Sequence, residues 1–173
     1  MCAGKIFKIS LSSMNSKEEM GYERELQILK ECEHPFIIEY VEEFDYQNKL
    51  CIVTKLASGG DFEKYMRDRQ FSEDEAMSYF AMLLLGLDFL HRKNIFHRDL
   101  KPGNILIDEL RDGMKILKIG DFGISKMDID TMKQTLTTFA FDTTVAYMAP
   151  EAVDKKEKLT SKVDMWALGV ILY

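Results

Sequence analysis

The run His97-Arg98-Asp99-Leu100-Lys101-Pro102-Gly103-Asn104 constrains this chain more than any other stretch. It lies between a long apolar helical pattern and a short apolar strand pattern. Two groups arrive in it together. The carboxylate of Asp99 can accept a proton from a hydroxyl, and the amide oxygen of Asn104 can help to hold a hard cation. Two more short runs follow in order, Asp121-Phe122-Gly123 and then Ala149-Pro150-Glu151.

The 173 residues suggest one domain. A content of 46% hydrophobic and 30% charged residues is that of a soluble globular protein. The formal net charge of -6 argues against a nucleic-acid partner, which needs clustered positive charge. Cys2, Cys32 and Cys51 show neither metal-ligand spacing nor a disulfide framework, so they read as reduced thiols of a cytoplasmic or nuclear protein. No secretory apolar region opens the sequence. The most apolar stretch, residues 81–90, is too short to span a bilayer and carries Asp88, so no membrane role is expected. Cys2 stands where myristoylation needs glycine.

Periodicity and turn chemistry predict the elements. Residues 5–11 read as a strand. Ser16 caps a helix, with Glu19 completing a capping box, and that helix runs to about residue 31 with Leu26 and Leu29 on one face. His34-Pro35 ends it. Strands at 37–44 and 50–56 flank a turn at 45–48. Ser58-Gly59-Gly60 reads as a flexible joint before a short helix from Asp61 to about Arg69. Ser72 and Glu75 form the capping box of a long helix. That helix is apolar on most sides and should be buried, with Met77 and Met82 in the core. Two short strands, 105–107 and 115–119, flank Arg111-Asp112-Gly113. Residues 127–144 are polar and Thr-rich, and a loop of that length is usually functional or disordered. A last apolar helix begins at Ser161.

The three runs, in this order, carry a resemblance to the eukaryotic protein kinases. Lys101, two residues after Asp99, resembles the serine/threonine branch. The stretch from Ser12 to Leu26 resembles the kinases related to the never-in-mitosis group. The resemblance implies an α+β, bilobal fold with ATP between the lobes. Residues 1–56 would form a partial N-lobe and hinge, and residues 57–173 a partial C-lobe. It also implies transfer of the ATP γ-phosphoryl group to Ser or Thr hydroxyls of a protein substrate, with Mg2+ as the second cofactor.

Residue by residue, the resemblance makes Asp99 the catalytic base and Lys101 the cation that neutralises the phosphoryl group in flight. Asn104 and Asp121 would hold magnesium, and the position of Phe122 would report an active or inactive state. Glu25 would pair a strand lysine. Thr54 is the gatekeeper, Lys55 and Ala57 would bond adenine through their backbones, and Asp61 would reach the ribose. Thr144 would bond Asp99 and Lys101, and Asp164 would hold the catalytic loop. Arg98 implies control by an upstream kinase acting at Thr135, Thr137 or Thr138. Gly103 stands where kinases that prefer basic substrates often carry Glu, which argues against a strong Arg preference.

The chain also departs from the family pattern. Sliding the first helix onto that pattern without a gap puts Phe7 at the lysine position and Lys8 one residue late. Either a shift or bulge turns Lys8 inward, or the phosphate-anchoring lysine is missing; Lys8 is the expected residue. No G-x-G-x-x-G run precedes it, so the N-lobe is expected to lack its first two strands and the C-lobe its last helices. Glu151 would then lack its Arg partner, and Thr143 replaces the glycine usual before Thr144. These departures leave an alternative, a catalytically inactive kinase-like interaction module or a truncated fragment. A chain so opened is expected to be marginally stable.

Overall fold

A computed structural model describes residues 1–10, 15–122, 143–153 and 159–173. Strand β1 (Cys2–Ser10) leads to helix α1 (Ser16–Glu31), then to strands β2 (Tyr40–Tyr46) and β3 (Lys49–Lys55). These three strands form an antiparallel sheet in the order β1-β3-β2. The second part opens with the two-residue strand β4 (Gly60–Asp61), helix α2 (Phe62–Met66) and the long helix α3 (Glu73–Arg92). Strands β5 (Ile105–Glu109) and β6 (Lys115–Ile119) follow, and helices α4 (Pro150–Val153) and α5 (Lys162–Leu172) end it. Strands β4, β5 and β6 make a second antiparallel sheet. The α+β class, with its two small antiparallel sheets, follows the sequence expectation.

Local chemistry explains most boundaries. Ser72 and Glu75 exchange hydrogen bonds at the start of α3, the capping box read from the sequence. Asn94, at φ 57°, ends the helix: its N–H bonds the His91 carbonyl, and the Ile95 N–H reaches back to Leu90. That is a Schellman motif, and Leu90 and Ile95 are both buried beneath it. Gln47 and Asn48, with φ of 51° and 61°, make the two-residue turn that sets the β2–β3 register. β2 starts later than expected, at Tyr40, and runs on to Tyr46, inside the expected turn. Ile37 instead forms an isolated parallel bridge to Ile119, tying the first sheet to the second.

Two expectations are corrected. Helix α1 starts at Ser16 itself, and the Glu19 N–H bonds the Asn15 carbonyl, so the first turn lies one residue earlier than a Ser16 cap allows. Helix α3 is buried on one face only. Leu83, Leu87 and Leu90 are buried, whereas Met77, Leu84 and Leu85 are exposed. An all-round apolar pattern does not tell which side the neighbours take; here β6 and α5 pack on α3. Gly86 allows the close approach on the packed side, since a Cβ there would lie 3.2 Å from the Phe36 carbonyl oxygen.

One continuous core joins both parts. It contains Leu29, Ile38 and Ile52 from the first, and Leu87, Ile105, Ile107, Leu117, Ile119 and Phe122 from the second. The junction between the sheets is therefore packed, and the polar residues at its rim are held in fixed positions.

Candidate active site

The open cleft at this junction encloses about 700 Å³ and is lined by Lys5, Glu25, Leu29, Ile38, Ile52, Thr54, Gly103, Asn104, Leu106, Gly120 and Asp121. Its roof comes from β1, α1 and β3, and its floor from the residues flanking β5 and β6. Lys5 lies opposite Ile52 in the β1–β3 register. Its ammonium sits 2.8 Å from Glu25 Oε1 and 2.9 Å from Asp121 Oδ1, so one cation ties the two halves of the molecule together.

The electrostatics of this triad follow from burial. Burial disfavours the charged form of Lys5, but the carboxylates of Glu25 and Asp121 outweigh it and raise its pKa. Glu25 is almost fully buried, and burial pushes its carboxyl up against the downward pull of Lys5. The ammonium is thus the firmer charge of the pair.

Below the cleft, Asp99 is held from several directions. Asn104 Nδ2 donates to the Asp99 carbonyl at 2.8 Å and to Oδ2 at 2.9 Å, and Lys101 Nζ lies 3.3 Å from the same Oδ2. Asp99 Oδ1 is buried and has no hydrogen-bond partner among the described residues. One carboxylate oxygen is therefore anchored while the other keeps its lone pairs. Asp99 also borders a small hollow with Tyr147, Met148 and Ala149.

Asp164 on α5 organises this loop from beneath. It is buried, and its carboxylate accepts from the His97 N–H at 2.9 Å and the Arg98 N–H at 2.7 Å, with His91 Nε2 at 2.8 Å. The ring of His97, fully buried, bonds the Gly120 carbonyl through Nε2 at 2.9 Å and accepts from the Asp99 N–H at Nδ1 at 3.3 Å. Its Nε2 is thus the protonated nitrogen. Phe122 packs on this ring with centroids 5.4 Å apart. Arg98 and Asp121 have φ of 66° and 56°. Such left-handed backbone is costly outside glycine and collects where a side chain must be aimed.

The model of the protein kinase domain matches residues 1–173. The chain belongs to that family. This kinase domain is 37% identical over 95% of its length to the serine/threonine-protein kinase nekl-2 of Caenorhabditis elegans. It is 38% identical over 99% of its length to a calcium/calmodulin-dependent protein kinase of Metarhizium anisopliae. Against the ribosomal protein S6 kinase alpha-6 of Danio rerio the identity is 35% over 99% of the chain. The chain spans 47%, 44% and 23% of those relatives, less than half of each.

Several residues singled out from the sequence meet in the kinase cleft: Glu25, Thr54, Asn104 and Asp121 line it, and Asp99 and Lys101 stand on its floor side. The strand lysine is different. Lys5, not Lys8, makes the ion pair with Glu25. An irregularity in β1 does exist, between Ile6 and Ser10, but Lys5 precedes it. The side chain of Lys8 lies outside the described residues. Lys55 and Ala57 are not among the cleft-lining residues; the Lys55 N–H bonds Glu39, and its ammonium pairs with the Glu39 carboxylate at 2.6 Å. Asp61 caps α2. Burial opposes its charge, but the Lys64 N–H and ammonium hold its carboxyl below the usual range. Thr144 falls in the turn Thr143–Tyr147, and its side chain is outside the described residues, as are Thr135, Thr137 and Thr138. Among the described residues no helix is long and apolar enough to cross a membrane.

Proposed function

We propose that this domain is a protein serine/threonine kinase that uses Mg2+ and ATP. The observation that carries the reading is the Lys5 ammonium, set 2.8 Å from Glu25 and 2.9 Å from Asp121 across the cleft from Asp99. The residues present fit Mg·ATP. The cleft has one fixed cation for phosphate oxygens, and two hard oxygen donors, Asn104 and Asp121, for magnesium. Because Asn104 gives its N–H2 to Asp99, its amide oxygen is the atom left for a cation. When bound, Mg·ATP supplies the phosphoryl group and neutralises its charge.

The chain's own residues do the rest. Lys5 orients phosphate oxygens, and Glu25 keeps Lys5 from swinging away. Asp99 Oδ1, the unpartnered oxygen, accepts the hydrogen bond and then the proton of the substrate hydroxyl. Oδ2 stays fixed by Asn104, so the base has one orientation. Lys101, next to Asp99, offsets charge that develops on the transferred group. Phe122, buried against His97, keeps Asp121 aimed into the cleft. This packed arrangement favours an active kinase over an inactive interaction module.

The serine/threonine preference is supported by Lys101 and by the names of the relatives. Incubating the protein with γ-labelled ATP, Mg2+ and a mixed protein substrate tests it by phosphoamino-acid analysis. Label is expected on Ser and Thr, and chelating Mg2+ should abolish it. Label on Tyr alone, or none at all, would contradict the reading.

A further inference from the structure

Helix α1 is tied to both outer strands of the sheet β1-β3-β2. Glu25 holds Lys5 of β1 at 2.8 Å, and Lys30, in the last turn of the helix, holds Glu43 of β2 at 2.6 Å. The first tie belongs to the cleft, and the second lies outside it. Lys30 Nζ also lies 5.5 Å from the centre of the Tyr40 ring, so a carboxylate and an aromatic face receive one ammonium together. This receptor depends on an irregularity in β2. Tyr40 stands opposite Thr54, Glu42 opposite Val53 and Glu43 opposite Ile52, so Val41 is an extra residue. In a regular strand Tyr40 and Glu43 would point to opposite faces. The bulge at Val41 puts both on the face of Ile52 and Thr54, the two β3 residues that line the cleft. Burial, and then the charges of Glu43 and Asp45, push the hydroxyl pKa of the buried Tyr22 up against the pull of Lys30, so α1 lies along β2 here.

We propose that Lys30 is a positioning residue for the kinase reaction: clasped by Tyr40 and Glu43, it fixes the angle of α1 at which Glu25 meets Lys5. The proposal rests on the kinase reading above. Glu25 and Lys30 stand about 7.5 Å apart along the helix axis and about 140° apart around it. Held by Glu25 alone, α1 can swing about that point and draw Glu25 off Lys5. A second tie, to the opposite edge of the sheet, removes that freedom. The negative end of the helix dipole favours a cation at this turn. Lys30 lines neither the cleft nor the hollow at Asp99. It therefore acts through Glu25 and Lys5, on the holding of phosphate oxygens and not on proton transfer at Asp99.

Steady-state kinetics of the full chain with varied ATP test this, with the thermal shift caused by Mg·ATP as a second readout. Lys30→Met keeps the apolar stem. It should raise KM for ATP by about fivefold, the size of an exposed ion pair, and leave kcat within about twofold. Glu43→Gln, which leaves the Tyr40 contact, should raise KM by a smaller factor, about threefold. The double variant should match Lys30→Met, because both changes remove one interaction. Lys30→Arg should keep the KM of the unaltered protein, since a guanidinium pairs with a carboxylate and stacks on a ring. An unchanged KM in Lys30→Met, a loss confined to kcat, or a further rise of KM in the double variant would overturn the proposal while the kinase reading stands. If the unaltered protein neither phosphorylates a substrate nor is stabilised by Mg·ATP, both fall together.

Discussion

Asp99→Asn should lower the phosphoryl-transfer rate by about 10³-fold, within the range that a positioned acid–base group contributes. The substitution keeps the size of the side chain and its contact with Asn104 Nδ2 through the remaining oxygen. It removes the one side-chain oxygen that, among the described residues, is buried and unpartnered. Because Asp99 is not a cleft-lining residue on the Lys5 side, nucleotide affinity should hardly change. The effect should therefore fall on kcat and leave KM for ATP within about twofold. Steady-state kinetics with varied ATP check this. A variant that keeps more than about a tenth of the rate would remove Asp99 from the role of base.

The largest effect on stability is expected at Asp164. Its carboxylate is almost fully buried and serves the His97 N–H, the Arg98 N–H and the His91 ring. Asp164→Ala leaves those donors facing a void. Each buried donor left unsatisfied costs about 1–3 kcal/mol, so the variant should lose about 3–5 kcal/mol, as for a broken buried charge. Asp164→Asn keeps one acceptor oxygen and should lose about half as much. Urea unfolding followed by fluorescence measures both. A loss below about 1 kcal/mol for the Ala variant would mean that the catalytic loop does not depend on this carboxylate. The left-handed Arg98, at φ 66°, should be the first backbone position to relax.

Much of the site could be read from the chain because it is encoded locally. Asp99, Lys101 and Asn104 lie within six residues of one another, so their spacing survives any uncertainty in the fold. The capping box at Ser72 and Glu75 is equally local. Lys5 was missed because its role depends on a length that the sequence does not display. Gapless spacing from Glu25 points to position 7, whereas the lysine stands at position 5. The connection between strand and helix is two residues longer than the gapless pattern. Side chains alternate along a strand, so an even insertion preserves the face and an odd one reverses it. Parity would have favoured Lys5 over Lys8. The exposed side of α3 was misread for another reason: an apolar helix reports that burial is affordable on any face, not which face is packed.

The account rests on Lys5 as the cation that holds the nucleotide phosphates. The direct test is a thermal melt of the protein, Lys5→Met, Lys8→Met and Asp121→Asn, each with and without Mg·ATP. At a hundredfold excess over its dissociation constant, a ligand that binds only the native state adds about 2.7 kcal/mol. That shift should appear in the unaltered protein and in Lys8→Met, and should be largely lost in Lys5→Met and Asp121→Asn. A shift that survives Lys5→Met but disappears in Lys8→Met would contradict the account, as would an unaltered protein that does not respond to Mg·ATP.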